Sequence, residues 1–184
     1  MKKSLLILSF FAVALLFSGN INAQTATGNN ILTLGIPGIA LLATDVAPVE
    51  LTLTTNTAGA MIAGGTGQTH VQISSIVASG LSRTINATVT GVPAGTALSV
   101  TTTSPSNGNQ AGVVGTGISS VNLINSTPAV DLVTGIGSCY TGTATTDGFT
   151  LDYSWEAGLP ADYGTIVEVI GGTATVILTI TDDQ

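Results

Sequence analysis

From residue 149 to 156 large apolar side chains occupy every second position. Phe149, Leu151, Tyr153 and Trp155 alternate with Thr150, Asp152, Ser154 and Glu156. A period of two sends successive side chains to opposite faces of an extended backbone, so this segment reads as a strand with one apolar face and one solvated face. The alternation returns at 173–181, where Ala174, Val176, Leu178 and Ile180 oppose a mostly threonine side. After residue 23 no long run of strong helix formers repeats with a 3.6-residue period. Abundant Thr, Ser, Gly, Val and Ile complete a β composition, with helix confined to short connectors.

Further strands are expected at 31–36, 39–43, 50–54, 70–77, 83–90, 97–103 and 117–124. Turn-forming clusters separate several of them, notably Gly91-Val92-Pro93-Ala94-Gly95 and Ser104-Pro105-Ser106-Asn107-Gly108-Asn109. Asp147-Gly148 is a hairpin-turn signal that would pair 149–156 with 129–143, and Gly171-Gly172 suggests a closing hairpin between 165–170 and 173–181. The glycine- and threonine-rich stretch 57–69 reads as the longest loop. Many short strands without interleaved helices point to an all-β fold: an antiparallel β-sandwich of Ig-like or Greek-key type, favoured over a barrel.

The chain opens with the features of a secretory signal. Lys2 and Lys3 precede an apolar run over 5–17, and Ile21-Asn22-Ala23 ends in a small residue suited to cleavage. The expected organisation is a signal peptide at 1–23 and a single β-sandwich domain at 24–184, with no integral membrane segment once the signal is removed. Export leaves Arg83 as the only Lys or Arg, and one base against ten acids gives a net charge of −9. That balance provides no cationic stripe for phosphates, so nucleic acid is excluded as a partner. The absence of lysine from residues 24–184 also excludes internal Lys–Asn isopeptide links in the exported chain.

Few residues are equipped for chemistry. His70 is the single histidine and Cys139 the single cysteine, so a tetrahedral Cys/His zinc site cannot form within one chain. Ser74 and Ser75 near His70 fall on an expected strand rather than a nucleophile elbow, and Gly-x-Ser-x-Gly is absent. Gly64-Gly65-Thr66-Gly67 lacks the lysine and helix of a phosphate-binding loop. The acids Asp147, Asp152, Glu156, Asp162 and Glu168 could flank a sugar with Tyr153 and Trp155 stacking on it. The alternation instead places the aromatics inward and the acids outward. Asp147, Asp152, Asp182 and Asp183 are candidate calcium ligands by oxygen chemistry alone, in no recognised loop spacing. No catalytic residue and no cofactor is assigned. Cys139 reads as a small buried residue, with a bridge between subunits as the alternative.

Leu32, Leu34 and Ile36 alternate near the start of the exported chain, after a short polar leader. Such a strand can pair within its own domain or be donated to a neighbour's sheet. Together, the signal, the small Thr- and Gly-rich β domain, the low charge and the lack of a catalytic motif resemble exported fimbrial-type and adhesin-like β-sandwich subunits of diderm bacteria. The single Cys139 departs from the cysteine pair usual in chaperone–usher pilins. The resemblance implies a non-enzymatic structural or adhesive protein of the cell surface, the extracellular space or the periplasm. Its partners would be itself or other cell-surface proteins, with Cys139, Leu32, Leu34 and Ile36 as intersubunit candidates. The alternative is a soluble carbohydrate- or calcium-binding module.

Overall fold

The computed structural model describes residues 31–45, 47–55, 57–125 and 128–183. The signal-peptide reading of 1–23 lies outside these residues. The strands are β1 (Ile39–Thr44), β2 (Gly65–Ile76), β3 (Arg83–Thr90), β4 (Thr96–Thr103), β5 (Ala111–Gly112), β6 (Thr116–Gly117), β7 (Val121–Leu123), β8 (Val130–Ile136), β9 (Cys139–Tyr140), β10 (Phe149–Ala157) and β11 (Thr175–Asp182). They form two sheets in which every described pair is antiparallel. In the larger sheet the order is β5-β9-β2-β10-β4-β7, with β1 pairing with β2. In the smaller it is β11-β3-β8-β6. Neither sheet closes into a barrel, and the expected all-β sandwich is the observed fold.

Period-two patterning explains the layers. On β10, Phe149, Leu151 and Tyr153 are buried, whereas Asp152 and Glu156 are exposed. Val71 and Ile73 of β2 and Leu98 and Val100 of β4 join them from the same sheet, facing Ile85, Ala87 and Val89 of β3 and Leu132, Val133 and Ile136 of β8. Burying a large aliphatic or aromatic side chain contributes roughly 1.5–3 kcal/mol, so this interior is the main source of stability.

The pairing partners differ from those expected. β10 lies between β2 and β4, not beside 129–143. Asp147-Gly148 makes no hairpin, because Thr145–Asp147 is a 3-10 turn and Gly148 is extended at φ −85°. The 129–143 segment divides: β8 enters the small sheet and β9 the large one. The 117–124 strand splits in the same way into β6 and β7. The sandwich needs both faces covered, and these short breaks carry the chain from one face to the other. β11 pairs with β3 alone and 165–170 forms no strand, so there is no closing hairpin. Residues 50–54 contribute only a bridge between Thr54 and Ala63.

β2 begins at Gly65, inside the stretch read as a loop, and its first residues pair with the end of β10. Glycine here answers a packing demand, since a Cβ on Gly67 would fall 2.3 Å from Val49 Cγ1. In the unit Met1–Gly35 the described residues 31–35 form no strand, and Ile31, Leu32 and Leu34 are exposed. The first strand starts at Ile39, and Ile36 is exposed as well. Alternation alone did not make a strand at 31–36, because no ladder partner among the described residues receives it.

One side chain ties the two sheets together. Arg83 opens β3 and is only 8 % exposed. Its Nε donates to Asp182 Oδ1 of β11 at 2.6 Å, and its Nη1 donates to Ser75 Oγ at 3.1 Å and the Ile76 carbonyl at 3.3 Å, both on β2. Nη1 also donates to the carbonyl of Ile39 on β1. The planar guanidinium can meet acceptors in several directions at once, which an ammonium on a single stem does less well. Beside it, Ser82 Oγ and Thr84 Oγ1 each donate to Asp183 at 2.6 Å. The acids at the end of β11 are therefore hydrogen-bonded to residues 82–84, although the Asp182 side chain stays largely exposed.

Asp183 and Tyr153 make the stability of this fold depend on pH. The Ser82 and Thr84 hydroxyls hold the Asp183 carboxyl below the usual carboxylate range. Its contribution is complete above about pH 4 and is lost as pH falls through the lowered folded value. Burial pushes the Tyr153 hydroxyl up to about 12, so its contribution is complete below the ordinary tyrosine value near 10 and is lost as pH rises from there. Urea midpoints measured from pH 2 to 12 should form a plateau between about pH 5 and 9. They should fall on both sides, and Tyr153→Phe should lessen the alkaline fall.

Candidate functional site

Tyr140 pairs with Ser74 of β2 on one side and Ala111 of β5 on the other. Cys139, its neighbour, turns into the core, so the strand period sends Tyr140 outward, where it is 53 % exposed. The next residue fixes this exit. Buried Thr141 donates its N–H to the Ile73 carbonyl at 3.1 Å and accepts the Ile73 N–H on Oγ1 at 3.0 Å. The chain then bends through Gly142 to the 3-10 turn Thr145–Asp147.

Asp147 is the anchor of this region and is 5 % exposed. Its Oδ1 accepts the Nδ2 donors of Asn107 and Asn109, each at 2.7 Å, and its Oδ2 accepts the Ala144 N–H at 2.8 Å. The Asn109 amide and then the Ala144 N–H hold the carboxyl below its ordinary range. One acid thus joins the loop after β4 to the turn before β10. Gly142 makes room for it: its φ is +109°, and a Cβ there would lie 2.4 Å from Asp147 Oδ2. Ser74, Asn109, Tyr140, Gly142, Thr143 and Asp147 line an open concavity of about 600 Å³. A second concavity of about 390 Å³ lies along Met61, Ile62, Ala63, Gly64, Thr66, Ser154, Glu156 and Ala157.

The residues singled out in the sequence are dispersed. Asp152 accepts from Gln68 Nε2 at 2.8 Å on the outer face of β10, Asp182 and Asp183 serve β3, and Asp147 is enclosed by amide donors. The four calcium candidates thus engage separate protein donors, and among the described residues no three His, Cys, Asp or Glu side chains could hold a metal together. His70 Nδ1 lies 2.9 Å from Asp45 Oδ2, but Ser75 Oγ accepts from Arg83, and Ser74 stands four residues along the strand, about 13 Å away. Tyr153 is buried and presents no stacking face, whereas Trp155 is half-buried and donates Nε1 to Thr96 Oγ1 at 2.9 Å. Cys139 is buried, and burial pushes its thiol up, as befits the small buried residue. The grouping around Tyr140 was not foreseen. Its sequence signal is Asn107-Gly108-Asn109, which reads as turn chemistry until Asp147 is brought against it.

The fold defines a two-sheet antiparallel sandwich with one exposed aromatic set in a polar concavity. No family model, curated protein or solved structure matches the chain. Among the described residues no helix is long and apolar enough to cross a membrane.

Gly142→Ala should lower the unfolding free energy by about 1–3 kcal/mol, the scale of a residue forced into a disfavoured backbone region. Asp147→Asn should destabilise in the same direction. Because both changes disturb one contact, urea unfolding of the double variant should show a loss smaller than the sum of the single losses.

Proposed function

We propose that this chain is an exported, non-enzymatic structural or adhesive subunit that associates with further copies of itself at the cell surface by strand addition. The observation that carries the reading is the edge formed by β11. Among the described residues it pairs only with β3, and residues 175–181 contain no charge and no proline. Natural edge strands are commonly blunted by such residues or by bulges, because an open ladder is a template for another chain. The inward residues Val176, Leu178 and Ile180 are only partly buried, which leaves apolar surface for an added strand to cover.

The same chain carries a segment of matching chemistry. Leu32, Leu34 and Ile36 alternate and are exposed, with no strand partner among the described residues. Main-chain hydrogen bonds would supply affinity and the alternating side chains specificity, the usual division in strand addition. The signal-like residues 1–23 support export, and the strongly acidic balance supports a partner other than nucleic acid. Cys139 has no part in this assembly because it is buried.

Light scattering of the exported chain over a concentration series tests this reading. The mass should rise with concentration, be insensitive to reductant, and return to that of one chain in Leu34→Asp. A constant single-chain mass for the unaltered protein would overturn the proposal.

A further inference from the structure

The geometry points to the Tyr140 concavity as a binding site for a neutral pyranose sugar. The cross-strand row through Tyr140 contains Leu41, Ser74, Tyr140 and Ala111 in adjacent strands. Its inner members beside the ring are small, so the phenol stands clear, and Leu41 is 62 % exposed at the other end. That row is a shallow platform with an aromatic face and an aliphatic shoulder, suited to the C–H face of a sugar ring.

The rim supplies the complementary half. Ser74 Oγ, Thr143 Oγ1, Asn109 Oδ1 and the Tyr140 hydroxyl border the platform, and none of them is engaged by another described residue. A pyranose carries hydroxyls around its edge that both donate and accept, and three free hydroxyls with one amide oxygen match that need. Asp147 is a positioning residue here. Its oxygens are occupied, and by holding the Asn109 Nδ2 it leaves the amide oxygen as the acceptor. The concavity lies within the roughly 300–1,000 Å³ typical of small-molecule sites.

Charge narrows the ligand class. Arg83 is the only Lys or Arg from residue 4 onward, and it is buried between the sheets. No cation is therefore available for a phosphate or a sugar carboxylate, and the nearest formal charge is the Asp147 carboxylate. Uronic and sialic acids should be rejected, and neutral hexosides and N-acetylhexosaminides accepted.

Saturation-transfer NMR with methyl glucoside, galactoside, mannoside and N-acetylglucosaminide, alongside glucuronic and sialic acids, tests the site. The host is the Leu34→Asp chain, so that the outcome is independent of strand addition, and failure of either proposal leaves the other standing. At least one neutral glycoside should receive saturation, strongest on the C–H protons of one ring face, and the acids none. Tyr140→Ala should weaken binding at least tenfold, Tyr140→Phe less, and Ser74→Ala should weaken it with an unchanged urea midpoint. Absence of transfer to every neutral glycoside at millimolar concentration, or binding unaltered in Tyr140→Ala, would overturn the assignment.

Discussion

Arg83 is the constraint around which the sandwich is arranged. Apolar contact between two sheets is not directional, so by itself it specifies their relative register less sharply than hydrogen bonds do. A guanidinium with fixed donor directions adds that specification. From the first position of β3 it binds the last residue of β11 in its own sheet and reaches β1 and β2 in the other. The acceptors it meets include two main-chain carbonyls, those of Ile39 and Ile76. The sole cation of residues 24–184 is thus used for architecture, which leaves the outer surface to acids, hydroxyls and amides.

That division connects the fold to the two surfaces on which function is argued. Asp182 and Asp183 are held by β3, so the free edge of β11 is not blunted by charge. Asp147 is held by Asn107, Asn109 and Ala144, so it shapes the rim around Tyr140 without being a free acid. In both places a carboxylate that looks like a candidate ligand in the sequence is consumed by internal hydrogen bonds. The uncharged polar rim around Tyr140 and the edge of β11 are the surfaces that the proposed glycan binding and self-association would use.

Much of the layer structure was legible from residue order. β3, β4 and β10 begin and end within a residue of the expected positions, because each alternates buried and solvated side chains between clear turn residues. Pairing was not legible. β10 joins β2 some 80 residues earlier, and nothing local encodes that choice. Glycine misled in both directions: Gly65 and Gly67 looked like loop residues but lie in β2, beneath residues 49–52. The alternation of 31–36 looked like a strand but has no partner. The Tyr140 site was hidden for the same reason as the pairing, since Asn109 and Asp147 stand 38 residues apart. Arg83 drew notice in the sequence only for its rarity. Its role depends on acceptors from three other strands.

Urea unfolding of Arg83→Met tests directly whether Arg83 ties the sheets together. Met keeps the length and apolar stem while removing every side-chain donor, so buried Ser75 Oγ and the part-buried Ile39 and Ile76 carbonyls lose the guanidinium. The expected loss is about 2–4 kcal/mol, from several unsatisfied acceptors with little added for the largely exposed Asp182 carboxylate. The slope with denaturant should be unchanged, and Arg83→Lys should recover only part of the loss. A loss below about 0.5 kcal/mol, the range of an ordinary surface substitution, would contradict the account.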